Sequence, residues 1–126
     1  MDQLELPTMS FLELAKFNGE GGADKIYFSL KGIVFDVSGS DFYKPGGPYH
    51  YLAGHEASVA LAKMSKELEF VDHEKYKWNE CLDENEMIIL DNWYSKLSEK
   101  YPKVAKISNQ WLLYLHIIHP IIDSKE

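Results

Sequence analysis

Two prolines and two glycines fall within the five residues Lys44-Pro45-Gly46-Gly47-Pro48, and neither a helix nor a centrally paired strand can run through such a segment. Pro45 and Pro48 hold φ near about −65°, while Gly46 and Gly47 allow close approaches that a side chain would forbid. Phe42, Tyr43, Tyr49 and Tyr51 surround this stiff frame. The loop aims its aromatic rings and, with Lys44 among them, invites a ligand.

The flanking sequence supplies the elements that would carry such a loop. Thr8 or Ser10 can cap a short helix bearing Phe11, Leu14, Ala15 and Phe17 on one face, with Asn18-Gly19 ending it. Residues 26–30 and 33–37 are β-rich runs separated by Lys31-Gly32, the spacing of a tight hairpin. Residues 38–54 then form an irregular stretch, longer than the roughly 12–15 residues above which loops are usually functional or disordered. Its aromatics speak against disorder.

Beyond the loop the pattern turns helical. Residues 56–64 predict a helix with Ala57, Ala60, Leu61 and Met64 as its stripe, and residues 65–83 predict one or two short helical turns. The clearest helix runs from Asp83 or Glu84 to Tyr101, with Met87, Leu90, Trp93 or Tyr94, Leu97 and Tyr101 at helical spacing, and Pro102 stops it. Residues 104–107 predict a short closing strand. Residues 111–122 are strongly apolar but fewer than the roughly 20 a spanning helix needs, so they pack on the domain, meet a partner or lie in a membrane interface.

With 126 residues the chain is sized for one domain with a real core. Its net charge of −7 disfavours nucleic acid and simple adsorption to anionic lipid. All 13 basic residues are lysines, so an anion would be held by ammonium groups, tyrosine hydroxyls or backbone amides, with no arginine fork available. Cys81 is the only cysteine, which suits a reducing compartment. No secretory signal pattern and no spanning apolar run is present, and a cytoplasmic protein is expected.

Most catalytic chemistry lacks its residues. No HExxH or Cys/His spacing, GxSxG, P-loop or dinucleotide-binding GxGxxG occurs. His116 and His119 share a helical i, i+3 spacing but have no further ligands nearby, and Cys81 between Glu80 and Asp83 reads as a structural thiol with a raised pKa. The tyrosines remain. A phenol becomes a strong ligand when a ferric iron displaces its proton; otherwise tyrosines in such a loop cap a core edge and hydrogen-bond to backbone.

The runs Val34-Phe35-Asp36-Val37-Ser38, Phe42-Tyr43-Lys44-Pro45-Gly46-Gly47-Pro48-Tyr49, Leu52-Ala53-Gly54-His55-Glu56-Ala57-Ser58 and Leu61-Ala62 resemble the core signature of the membrane-associated progesterone receptor family, whose members are cytochrome b5-like heme/steroid-binding domains. The similarity begins at Phe11-Leu12-Glu13-Leu14 with Phe17-Asn18-Gly19 and resumes at Leu90-Asp91-Asn92-Trp93 and Lys100-Tyr101. It implies an α+β, cytochrome b5-like domain over residues 8–107, a small mixed sheet with short helices forming a ligand pocket, followed by an apolar extension at 108–126.

The family's iron ligand falls on Tyr49, its hydrogen-bonding neighbour on Tyr43, and the Lys-Tyr pair near the heme propionates on Lys100 and Tyr101. Ordinary cytochrome b5 domains place their first histidine ligand in His-Pro-Gly-Gly; here that position is Lys44, which disfavours bis-histidine electron transfer. His50, His55 and His73 lie near enough in sequence to be weighed as a sixth ligand. The resemblance implies a non-catalytic protein that binds heme b as tyrosinate-ligated ferric heme, in heme handling or in support of heme-thiolate monooxygenases. Its alternative is a sterol or other apolar ligand, or a heme-free interaction adaptor. A homodimer is one oligomeric option. Many members carry an N-terminal transmembrane helix, whereas this sequence starts close to the domain, so the remaining expectation is peripheral contact with the cytosolic face of the endoplasmic reticulum through the apolar tail.

Overall fold

The computed structural model describes residues 5–22 and 24–108, so the tail from 109 to 126, with its expected membrane contact and His116 and His119, lies outside the described residues. Four strands form one mixed sheet. They are β1 (Thr8–Met9), β2 (Tyr27–Leu30), β3 (Ile33–Asp36) and β4 (Lys103–Ile107), in the spatial order β1-β4-β3-β2. β1 runs parallel to β4, while β2–β3 and β3–β4 are antiparallel. Helices α1 (Phe11–Leu14), α2 (Ser58–Ala62), α3 (Trp78–Cys81) and α4 (Glu84–Lys100) complete an α+β architecture, with 3-10 turns at His50–Leu52 and Leu68–Val71.

The expected hairpin forms with a two-residue turn, Leu30 pairing with Ile33. Lys31 and Gly32 both take positive φ, 52° and 77°, the geometry whose twist matches paired strands. Along β3 the side chains alternate: Ile33 and Phe35 enter the main core with Phe28, Leu30 and Leu90, whereas Val34 joins Leu14 and Ala105 in a smaller cluster. Burial on both faces explains why these strands read as continuous apolar runs.

Of the three expected helices, the first and the last start with capping boxes. The Ser10 hydroxyl accepts from the Glu13 amide at 3.0 Å, and the Asp83 carboxylate accepts from the Glu86 amide at 2.8 Å, with each Glu reaching back to its cap. Tyr101 leaves α4 in an extended conformation, as its position before Pro102 requires. Leu90 and Leu97 are the buried residues of the α4 stripe, with Met87, Trp93, Tyr94 and Tyr101 packing against the core.

Four expectations change. The first helix, expected to carry Phe17 and to end at Asn18-Gly19, ends at Leu14. Thr8 caps nothing and instead pairs in β1, a strand of two residues that no alternation pattern could reveal. The helix expected over 56–64 shortens to five residues, all buried. Met64, placed in its apolar stripe, takes φ 51° and is 77% exposed, because the chain turns out of the helix there.

The helix shortens at its start because Glu56 points inward. Its carboxyl receives the Ser29 hydroxyl, the Ser58 amide at 2.8 Å and a backbone bond from Gly32, while the Lys31 amide donates to the Ser58 hydroxyl at 2.7 Å. Ser29 also receives the Ala57 amide at its carbonyl (2.8 Å) and donates its own amide to the His55 carbonyl (3.0 Å). Residues 55–58 are thus tied to β2 and to the hairpin turn.

Burial raises the Glu56 pKa above its ordinary 4.5, against the lowering effect of these hydrogen bonds. The folded state therefore holds the proton more tightly than the unfolded chain. That contribution to stability is fully present below the unfolded pKa and lost as pH rises through the folded one. Urea unfolding of wild type and Glu56→Gln between about pH 4 and pH 8 should show wild type losing stability relative to the variant as pH rises. Parallel profiles would contradict an inward, proton-retaining Glu56.

Candidate functional site

The loop between β3 and α2 closes on itself. The Gly47 amide donates to the Lys44 carbonyl at 2.8 Å, and the Tyr49 amide donates to the Phe42 carbonyl at 2.9 Å. A Cβ at Gly47 would lie 2.5 Å from the carbonyl oxygens of Asp41 and Phe42, so only glycine fits. These bonds bring residues 42 and 49 side by side.

Tyr43 is 7% exposed and meets Phe28 of the sheet edge-on, with ring centroids 5.0 Å apart. Burial, then the neighbouring Tyr101, Tyr49 and Tyr51, push its pKa up to about 12. Its phenol stays protonated. Tyr49 is only half-buried, at 6.2 Å from the rings of both Tyr43 and Phe42 and 6.4 Å from Tyr51. Tyr51 donates a long hydrogen bond to the Ser65 carbonyl, 3.4 Å, and burial, with Tyr49, raises its pKa as well.

The end of α4 arrives at the same face. Tyr101 lies 6.2 Å from Tyr43, and the Lys100 ammonium sits 5.4 Å from the Tyr101 ring centre and 5.9 Å from that of Phe42. The Lys66 ammonium stands 5.5 Å from the Tyr49 ring centre. Neither lysine forms an ion pair with the described residues.

Tyr43, Tyr49, Lys100 and Tyr101, separated by more than fifty positions in sequence, therefore share one surface. Phe42, half exposed, and Tyr51 belong to it too. Lys66 was missed from sequence, since it follows α2 in a stretch without a period and nothing local marks it.

Lys44, His50 and His73 are engaged elsewhere. Lys44 pairs with Asp41 at 2.9 Å on the surface. The His50 Nε2 hydrogen-bonds the Asn18 carbonyl at 2.8 Å, and His73 stacks on Phe11 with centroids 3.8 Å apart. His55 keeps company with these two imidazoles; desolvation and their charges lower its pKa. Among the described residues no group of three His, Cys, Asp or Glu could hold a metal. The Cys81 thiol is raised, primarily by burial and only secondarily by Glu86 and Glu80, which amends the weight given to its acidic neighbours.

Residues 10–108 match the model of the cytochrome b5-like heme/steroid-binding domain. The chain belongs to that family. Its relatives place it in the membrane-associated progesterone receptor group. "Probable steroid-binding protein 3" of Arabidopsis thaliana is 42% identical over 75% of this chain and 92% of that protein. The "Cytochrome P450 regulator dap1" of Schizosaccharomyces pombe is 37% identical over 75% of this chain but only 59% of its own length. Among solved structures, an Arabidopsis thaliana protein described as having a cytochrome b5-like fold superposes with a TM-score of 0.71 at 38% identity, covering 82% of this chain and 93% of that one. The expected fold is confirmed. No helix among the described residues is long and apolar enough to cross a membrane.

Because the loop closes over Gly47, Gly47→Ala should lower unfolding stability by about 1–3 kcal/mol in urea denaturation. An unchanged midpoint would show that the Asp41 and Phe42 carbonyls can move aside at no cost.

Proposed function

We propose that the domain spanning residues 8–107 binds heme b on the tyrosine face, where the Tyr49 phenol would hold the iron. The observation that carries this reading is the contrast between two neighbouring phenols. Tyr43 is buried and held protonated, while Tyr49 beside it is half-exposed, with the Lys66 ammonium near its ring.

The donor set fits the group. Phe42, Tyr49, Tyr51 and Tyr101 offer aromatic surface to a flat macrocycle, and Lys66 and Lys100 are cations without an ion-pair partner among the described residues, as two propionates would require. Ferric heme supplies an iron centre whose phenolate ligation favours Fe(III) over Fe(II). Tyr43 orients the Tyr49 phenol through ring contact and its retained proton, Lys66 complements a phenolate charge, and Lys100 with Tyr101 addresses the propionate edge. Lys44, where ordinary cytochrome b5 domains carry a histidine, is spent on Asp41.

Such a site is poorly suited to shuttling electrons, so the domain acts as a non-catalytic component in heme handling or in support of heme-thiolate monooxygenases. The name of the fission-yeast relative, a cytochrome P450 regulator, supports the second role. The location that goes with it is cytoplasmic, in peripheral contact with a membrane. A second reading adds an apolar ligand. It is supported by the steroid-binding names of the plant relatives and by an aromatic-walled cavity of about 380 Å³ whose lining includes none of the tyrosine-face residues.

Hemin titration of wild type and Tyr49→Phe, followed by visible absorption, tests the ligand. Wild type should give a high-spin ferric spectrum with a phenolate charge-transfer band, and the variant should lose that band and bind at least about tenfold more weakly. Equal affinity and an identical spectrum would refute the assignment. Urea unfolding of the variant, with an expected cost of about 1 kcal/mol or less, separates lost ligation from lost structure.

A further inference from the structure

The cavity has its own architecture. Its wall is built from Phe11 of α1, the hairpin turn at Lys31-Gly32, the segment from His73 to Glu80 and Ile107 at the end of β4. Phe11 and His73 form one rigid panel, stacked at 3.8 Å with an interplanar angle of 17°, and Tyr76 and Trp78 supply further ring surface. A volume of about 380 Å³ falls within the roughly 300–1,000 Å³ of small-molecule sites, which are mostly apolar with a few polar groups.

Two of its charged side chains are already engaged. The Glu56 carboxyl in the wall is satisfied by Ser29, Ser58 and Gly32, and the Lys31 ammonium pairs with Asp91 at 2.8 Å. The remaining ionic groups of the lining, Lys77 and Glu80, are exposed and of opposite sign. A ligand carrying net charge would find no buried counter-ion, so a neutral one is favoured. Asn79, the Lys77 ammonium and the His73 imidazole leave hydrogen-bonding groups for a carbonyl or hydroxyl at one end of such a molecule. Heme is a poor candidate here, because its two propionates would meet a single lysine without an ion pair among the described residues, Lys77.

We propose that this cavity is a second binding site, separate from the tyrosine face, which takes a neutral fused-ring molecule with a terminal oxygen, the chemical class of steroids. The two ligands named in the family's description would then occupy different sites and bind together. The inference rests on the apolar-ligand half of the function proposed above and is independent of Tyr49.

Calorimetric titration of the full 126-residue chain with progesterone, with and without saturating hemin, is the test. Binding is expected in both states with dissociation constants within about twofold, and Tyr49→Phe should leave them unchanged while altering the hemin spectrum. Trp78→Ala, which removes a wall, and Ile107→Trp, which fills the space, should each weaken progesterone at least about tenfold while the hemin spectrum persists. That persisting spectrum also reports that each variant is folded. No progesterone heat with the full chain, displacement by hemin, loss in Tyr49→Phe, or wild-type affinity in both folded cavity variants would overturn the proposal. A failure of Tyr49 ligation alone, with progesterone binding intact, would count against the heme reading and leave this one standing.

Discussion

A carboxyl group that the fold removes from water determines where the aromatic loop must end. Glu56 is 6% exposed and gathers hydrogen bonds from Ser29 on β2, from Gly32 in the hairpin turn and from Ser58 at the start of α2. A buried acid without such partners would cost several kcal/mol, so its acceptors and their donors are held together as one unit. That unit anchors the downstream end of the loop, while the antiparallel pairing of β2 with β3 anchors the upstream end. Between the two anchors, the Gly47 and Tyr49 backbone bonds draw the loop shut. The ring positions of Tyr43, Tyr49 and Tyr51 follow from these restraints.

Glu56 also lines the aromatic cavity, which makes it a shared support for two surfaces. On the tyrosine face, burial is graded: Tyr43 is pressed against the core and kept protonated, while Tyr49 and Phe42 reach outward, and lysines from α4 and from the segment after α2 stand over the rings. The cavity differs in chemistry, since Glu56 and Lys31 in its lining are engaged and the remaining ionic groups, Lys77 and Glu80, are of opposite sign. An unpaired cation selects for an anion, and a neutralised aromatic wall selects for an uncharged ring. The Lys63–Glu86 pair at 2.9 Å joins α2 to α4 and so links the helix after the loop to the helix that delivers Lys100 and Tyr101.

Much of this was legible in the sequence because it rests on local rules. Lys31-Gly32 announces a hairpin turn, Ser10 announces the start of α1, and Pro102 ends α4 at the tyrosine that meets the site. Tyr43, Tyr49, Lys100 and Tyr101 could be picked out as a set because family resemblance spans the sequence distance that local rules cannot. What escaped depends on tertiary packing. A glutamate ahead of an alanine-rich run reads as the exposed first turn of a helix, yet Glu56 is buried with Ser29 and Gly32, which are distant in sequence, as well as with nearby Ser58. Lys66 and the cavity wall at His73–Glu80 belong to a stretch whose short turns leave no period, so their joint location exists only once α1, the hairpin and β4 have packed around them.

The central claim is that this fold presents Tyr49, and no histidine, to heme iron. Resonance Raman spectroscopy of the hemin-loaded protein, excited within the phenolate-to-iron charge-transfer band and repeated after ring-deuterated tyrosine labelling, tests it most directly. The account predicts enhanced phenolate ring modes that shift on labelling and vanish in Tyr49→Phe. A low-spin, histidine-ligated spectrum that is indifferent to tyrosine labelling would contradict it.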